Sequence, residues 1–219
     1  MRTVICADSF EWLPANRDVG AIITSLPDAS EIGIEDLDEY EKWVRRAATE
    51  CFLSASKGCP VIFIHTDRRK GGRQFSKANL LMNIAQEQGW FLLWHKIEQS
   101  QEIGKSNLYR PTFRHMLCFG KGKMSAGQAT PDVIPPSKRL YEMAFGFEAA
   151  KVAVEFCKRY TNRVCDPFCG PGTVLHVAEE MGADSIGVDI EAEVCEVARQ
   201  FEFGNSSVVA THPAATTTR

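Results

Sequence analysis

The chain alternates short apolar runs with helix-length segments, and this alternation constrains its fold more than any other feature. Seven runs, at residues 3–6, 21–24, 61–65, 91–97, 115–119, 163–166 and 185–189, are each short enough to be a buried strand. Most are separated by stretches of helical periodicity. The clearest spans 35–56 and sets Leu37, Tyr40, Trp43, Val44, Ala47, Ala48, Cys51 and Phe52 on one face. A second covers 76–88 and ends at Gly89; others are predicted over 148–160, 173–181 (ended by Gly182) and 191–201. Strand alternating with helix implies a doubly wound α/β sheet of seven strands, mostly parallel. Runs 91–97 and 115–119 have only a loop between them, so they should pair antiparallel and leave one strand reversed.

The 219 residues are 44% apolar and carry a net charge of -3. A chain of this length buries about two thirds or more of its unfolded surface, so its core needs neither disulfide nor metal. The longest apolar run, 90–94, falls far short of the roughly 20 residues of a bilayer span, and the opening MRTVICADSF lacks a signal-peptide layout. A soluble intracellular protein, cytoplasmic or nuclear and without membrane contact, is expected. Eight cysteines lie mostly in apolar patterns with no CxxC pair and are read as reduced core thiols. No metal is expected: only His115 and Cys118 approach ligand spacing, and residues three apart on a strand face opposite ways. One domain over 1–205 is expected, with 121–136 as a linker-like stretch and 206–219 as a disordered tail.

The sharpest chemical signal is VCDPFCGPGT at 164–173, a strand entering a glycine-rich turn and then a helix. Such a turn lets backbone approach a nucleotide-like ligand closely. A dinucleotide fingerprint would have a third glycine where Leu175 stands, and would seat pyrophosphate on the helix N-terminus. Asp166 before the turn repels phosphate and suits a cation, such as the amino group of S-adenosylmethionine. Asp189 closes the next strand, where a carboxylate can accept from both ribose hydroxyls. The plainer alternative is a tight strand-to-helix turn with an N-capping acid.

DPFCGPGT followed by GADSIGVDI resembles motifs I and II of the class I S-adenosylmethionine-dependent methyltransferases, especially the N4-cytosine and N6-adenine DNA amino-methyltransferases. ADSFEWLPANRDVGAIITSLPD, at the start, resembles the segment of those enzymes that leads into their (D/N/S)PP(Y/F) catalytic loop. The loop precedes the glycine turn here, which is the order of one circularly permuted class, and the resemblance then covers nearly the whole chain. On that family's sheet the strands would occur in the order three, four, five, six, seven, one, two. The resemblance implies that Asp166, Phe168, Gly170 and Gly172 line the methionine end of the cofactor and that Asp189 holds the ribose. It places Asp8 by the adenine amino group, Ser9 and Phe10 beside the ring, and 138–146 over the methionine.

By the same resemblance Ser25, Leu26, Pro27 and Asp28 form the catalytic loop, with Ser25, Pro27 and Asp28 as its catalytic residues. In the family the first side chain and a proline carbonyl accept hydrogen bonds from an exocyclic amine, and an aromatic ring stacks on a base drawn from its helix. Ser25 and the backbone around Leu26 can still accept an N–H, whereas Asp28 cannot stack. A carboxylate there could accept or remove a proton, helped by Glu31, or Asp28 and Ser30 could simply cap the next turn.

Two basic loops should border this site, because each leaves the carboxyl end of a predicted parallel strand. One, 66–76, carries Arg68, Arg69, Lys70 and Arg73 and is followed by Lys77; the other, 99–114, carries Lys105, Tyr109, Arg110 and Arg114. Cations interleaved with aromatic rings suit phosphate contact and base stacking. Methyl transfer to a nitrogen of a nucleic-acid base is therefore expected. RNA is placed ahead of DNA, because the short stretch 121–136 leaves no room for a groove-reading module. The alternatives are a DNA enzyme that borrows recognition from a partner subunit, a protein methyltransferase, and a non-catalytic cofactor-binding subunit.

Overall fold

The computed structural model describes residues 1–127, 129–140 and 144–200. In chain order these form β1 (Arg2–Cys6), α1 (Ser9–Ala15), β2 (Ala21–Thr24), α2 (Leu37–Ser54), β3 (Val61–His65), β4 (Arg68–Lys70), β5 (Arg73–Phe75) and α3 (Lys77–Glu87). They continue with β6 (Phe91–Gln99), β7 (Phe113–Gly120), β8 (Val133–Ile134), α4 (Phe147–Cys157), β9 (Arg163–Asp166), α5 (Thr173–Glu180), β10 (Asp184–Asp189) and α6 (Ala192–Gln200). The expected tail at 206–219 and the centre of 138–146 lie outside the described residues.

The main sheet runs β1-β10-β9-β2-β3-β7-β6-β8. Every pairing is parallel except those of β7, which runs against both β3 and β6. In the strand numbers given by the resemblance, the order is three-two-one-four-five-seven-six, with β8 added outside. The central strands β2 and β3 are buried at every residue. That is why AIIT and VIFIH read as unbroken runs: helices cover both faces, and no side of these strands meets water. On one face Val61, Phe63 and Ile22 pack with Val44, Ala48, Phe52, Leu81 and Ile84 of α2 and α3. On the other, Ile23, Ile62 and Ile64 pack with Ala150, Val154, Val174 and Val177 of α4 and α5.

The mostly parallel sheet with one reversed strand is as expected, but the count of seven strands is not. Val133–Ile134 pairs with β6 and makes an eighth strand from the linker-like stretch. Two residues between prolines carry no periodicity. The stretch is fixed instead by the buried Lys96, whose ammonium donates to the carbonyls of Thr130 (3.0 Å) and Pro131 (2.9 Å) and to Asp132 (3.1 Å). The basic segment 66–76 is likewise no plain loop. β4 and β5 form a hairpin around Gly71 and Gly72, both with positive φ (58° and 72°), as a two-residue turn of this hand requires. The short helix α1, seven residues with Pro14 inside and Asp8 as its N-cap, was also not foreseen.

Gly20 sets how closely β2 approaches β9. Its φ is +98°, and a Cβ there would lie 2.3 Å from the carbonyl oxygen of Arg163. Gly20→Ala should therefore cost about 2 kcal/mol or more in urea unfolding, since backbone must move. Gly58→Ala, also at positive φ but with nothing within 4 Å, should cost only about 1 kcal/mol.

Candidate active site

Five parallel strands, β1, β10, β9, β2 and β3, deliver the residues after their carboxyl ends to one pocket of about 330 Å³. Its lining brings together Asp8, Ser9, Phe10, Ser25, Pro27, Asp28, Asp166, Phe168, Gly170 and Asp189, residues singled out from distant parts of the sequence. Gly172 lies just beyond, capping α5 in the left-handed conformation. Two halves meet there, the glycine-turn half and the loop half.

The glycine-turn half is held by its carboxylates. Asp189 accepts from the backbone N–H of Gly170 (3.0 Å) and of Glu191 (2.9 Å), fixing turn to strand. Asp8 caps α1 by accepting from Phe10 N (2.8 Å), and the Ser9 hydroxyl donates to the carbonyl of Pro167. Asp166 is 3% exposed and accepts from the Thr24 hydroxyl (2.7 Å) and from Phe168 N (3.2 Å). Burial pushes its carboxyl up to about 7, against the lowering effect of those two hydrogen bonds, and nearby Asp189 adds to the rise. Without a cation at hand, this site holds a carboxylate that needs one. Beside it, Phe10, Trp43 and Phe168 form an aromatic wall, with Trp43 5.5 Å from Phe10 and 5.6 Å from Phe168 between ring centres.

The loop half differs from the sequence expectation in its charge. Asp28 is buried, and each carboxylate oxygen meets a cation: Lys77 Nζ at 2.5 Å and Arg110 at 3.1 Å. Burial alone would raise its pKa, but Lys77, Arg110 and Arg68 outweigh that and hold it below the ordinary value. An ionised carboxylate with both oxygens engaged is a weak base, so the structure does not support Asp28 as the group that removes a proton. Glu31 does not assist it as a base either; its carboxylate accepts from Asp28 N (2.6 Å) and closes the turn. The carbonyl of Pro27 is taken by the Tyr40 hydroxyl (2.8 Å), which burial keeps protonated. Ser25 and Leu26 remain as the lining residues of this loop that can accept from an incoming amine.

The two basic segments do meet. Arg68–Gln74 and Leu108–Arg110 line a second groove, with Tyr109 69% exposed. Arg73 is exposed there, whereas Arg69 bonds the carbonyl of Asn107 (3.0 Å) and Lys70 that of Glu35 (2.6 Å). Lys105 is exposed and lines neither groove nor pocket. Arg114 reaches the pocket from a 3.4 Å contact with the buried Glu98, whose other oxygen accepts from Gly146 N (2.6 Å) and so anchors Ala144 and Phe145 beside it. Sequence reasoning missed Trp43, placed among the core positions of α2, and His65, placed inside an apolar run. Their signals were an aromatic residue one turn from the site and a polar residue at a parallel strand's carboxyl end. Among the described residues no group of three metal-ligating side chains occurs, and no helix is long and apolar enough to cross a membrane.

Lys77→Met should destabilise the fold by about 3 kcal/mol in urea at pH 7, the low end for stranding a buried charge, because Arg110 remains. Adding Asp28→Asn should recover most of that loss, since it removes the charge that was stranded. The pair's contribution is present above the unfolded carboxyl pKa, about 3.9, and is lost as pH falls through the lower folded value, so the wild-type and double-variant stabilities should converge in acid.

Residues 127–200 match the family model described as DNA methylase. No curated protein matches the chain. Among solved structures, an assigned DNA modification methylase from Thermus thermophilus complexed with S-adenosyl-L-methionine superposes with a TM-score of 0.73 at 19% identity, covering 90% of this chain and 91% of that one. The PvuII cytosine-N4-specific DNA methyltransferase gives 0.75 at 16% identity over 94% and 88%. The complex of M1.HpyAVI with S-adenosylmethionine gives 0.63 at 17% over 91% and 98%. The stretch that carries the glycine-rich turn thus has the sequence signature of the DNA methylases, and the chain as a whole has the methyltransferase fold, as the resemblance in its motifs implied.

Proposed function

We propose that the chain is an S-adenosylmethionine-dependent methyltransferase that transfers a methyl group to the exocyclic amine of a nucleic-acid base. One observation carries this reading: a buried, cation-seeking Asp166 beside the glycine turn shares a pocket with a loop able to accept an N–H at Ser25 and Leu26. The residues fit the cofactor. Asp166 suits its ammonium, Asp189 its ribose hydroxyls, Phe10, Trp43 and Phe168 its ring, and the backbone of Gly170 allows close approach. When bound there, the cofactor supplies an electrophilic methyl on a sulfonium.

The loop's work is positioning. Ser25 and the carbonyl of Leu26 accept from the amine and orient its lone pair, as hydrogen bonds to a reacting group do when preorganised. Asp28 keeps its charge and serves as the anchor on which Lys77 and Arg110 close the pocket. The groove of Arg68, Arg73 and Tyr109 lies where a nucleic-acid backbone would run on either side of the target.

DNA is the polymer that the family description and the matched structures favour, and we place it first. The PvuII enzyme is matched over 88% of its own length, so the shortness of 121–136 does not count against DNA as the sequence reasoning supposed. RNA is the second reading, favoured by the hairpin groove with its exposed Tyr109, which suits unpaired bases. A partner subunit that contributes recognition is compatible with either.

Labelled methyl offered from S-adenosylmethionine to undermethylated DNA, total RNA and protein in parallel should enter nucleic acid, and Asp166→Ala should abolish it. Label in protein alone, or cofactor binding without transfer to any polymer, would sink the proposal. The raised pKa of Asp166 adds a pH test. A bound cation needs the ionised carboxylate, so affinity for S-adenosylmethionine should fall as pH drops through about 7, approaching tenfold per unit below it. Calorimetric titrations at pH 6, 7 and 8 should show this dependence in the wild type and a flatter one in Asp166→Asn, the difference cancelling any titration of the ligand itself.

A further inference from the structure

His65 is a buried polar side chain to which the proposed function gives no task. It ends β3, a strand buried at every position, and lines the pocket with Ser25, Asp28 and Lys77. It is 2% exposed, and neither ring nitrogen meets a hydrogen-bond partner in the protein. Buried polar nitrogens without partners are rare because their desolvation is uncompensated, and one that lines a pocket asks for a partner from outside the fold.

Its surroundings fix the ring without using its nitrogens. His115 lies opposite in register on β7, and the two rings stack at 5.4 Å and 25°. His115 is itself held by His95 at 2.9 Å and lies 3.6 Å from Asp67, which accepts from Gln74 (2.8 Å). Burial, then the Lys77 ammonium and His115, keep the His65 imidazole neutral; Asp67 opposes them and is outweighed. A neutral imidazole offers one N–H donor and one acceptor, the equipment for contacting an uncharged heterocycle rather than for taking up a proton. The register also places it well. Thr24 lies opposite Phe63, so β2 gives way to the catalytic loop one residue short of the level of His65.

We propose that His65 holds the ring edge of the methyl-accepting base: while Ser25 and the Leu26 carbonyl take the exocyclic amine, an imidazole nitrogen hydrogen-bonds the ring atom beside it. The assignment rests on the base-methylation reading above and deepens it. It supplies the grip on the base that is missing where Asp28, tied to Lys77 and Arg110, stands in place of a stacking ring.

His65→Phe keeps the ring stack and removes both nitrogens. Its kcat/KM for the polymer substrate should fall about tenfold or more, the loss of a hydrogen bond in a dry site. Affinity for S-adenosylmethionine should stay unchanged, and the melting temperature should hold or rise, because no internal bond is lost. His65→Asn, whose amide keeps a donor and an acceptor, should recover part of the activity. A fully active His65→Phe overturns the assignment and leaves the function standing; so does a parallel loss of melting temperature and cofactor affinity, which would mark a structural role. A wild type that methylates no nucleic acid overturns both. Should His65→Phe not fold, ¹⁵N-histidine spectra of the wild type with a single-stranded oligonucleotide decide the matter: a shift at one His65 nitrogen supports the assignment, and no shift overturns it.

Discussion

The site depends on the parallel pairing of β2 with β9, a contact only two residue pairs long, Ala21 with Val164 and Ile22 with Cys165. The loop after β2 and the glycine turn after β9 lie far apart in the chain, and this pairing makes them neighbours. Thr24 and Asp166, the last residues of the two strands, then join through a 2.7 Å hydrogen bond inside the core. Strand pairing of this kind leaves little freedom: a slip of one residue would turn Thr24 away from Asp166 and reverse the faces of Ile22 and Ile23.

The two halves of the pocket solve opposite electrostatic problems. Asp166 is buried with hydrogen bonds but no cation, and desolvation prevails, lifting its pKa to about 7. Asp28 is also buried, yet two cations at contact distance prevail and keep it charged. Coulombic attraction at such distances in a partly dry site exceeds what a pair of neutral donors supplies, so the sign of the shift follows the partner. The first carboxylate is thereby poised for a cationic ligand and the second is committed to the protein. Asp28 is accordingly an anchor for the pocket's wall, and the task of holding a base passes to groups around it.

Much of this was legible in the sequence. β2 and β3 stood out because full burial makes a strand apolar throughout, and the reversed strand followed from a loop too short to carry a crossover. The glycine turn was plain because its backbone geometry demands particular residues. What escaped notice depends on contacts distant in sequence. Val133–Ile134 becomes a strand only because Lys96 pins its neighbours. Asp28 changes from a candidate base to an anchor only once Lys77, 49 residues away, is folded against it. His65 looked like the last member of an apolar run until its ring was seen to lack a partner.

The account's central claim is that cofactor and base occupy adjoining halves of one pocket. A crystal structure of the protein with S-adenosylhomocysteine and a short single-stranded oligonucleotide tests it most directly. The account predicts the ribose on Asp189, the ammonium on Asp166, and an extruded base whose amine lies within hydrogen-bond reach of Ser25 and the Leu26 carbonyl. An oligonucleotide bound with no base in the loop half, or a cofactor that leaves Asp166 untouched, would contradict it.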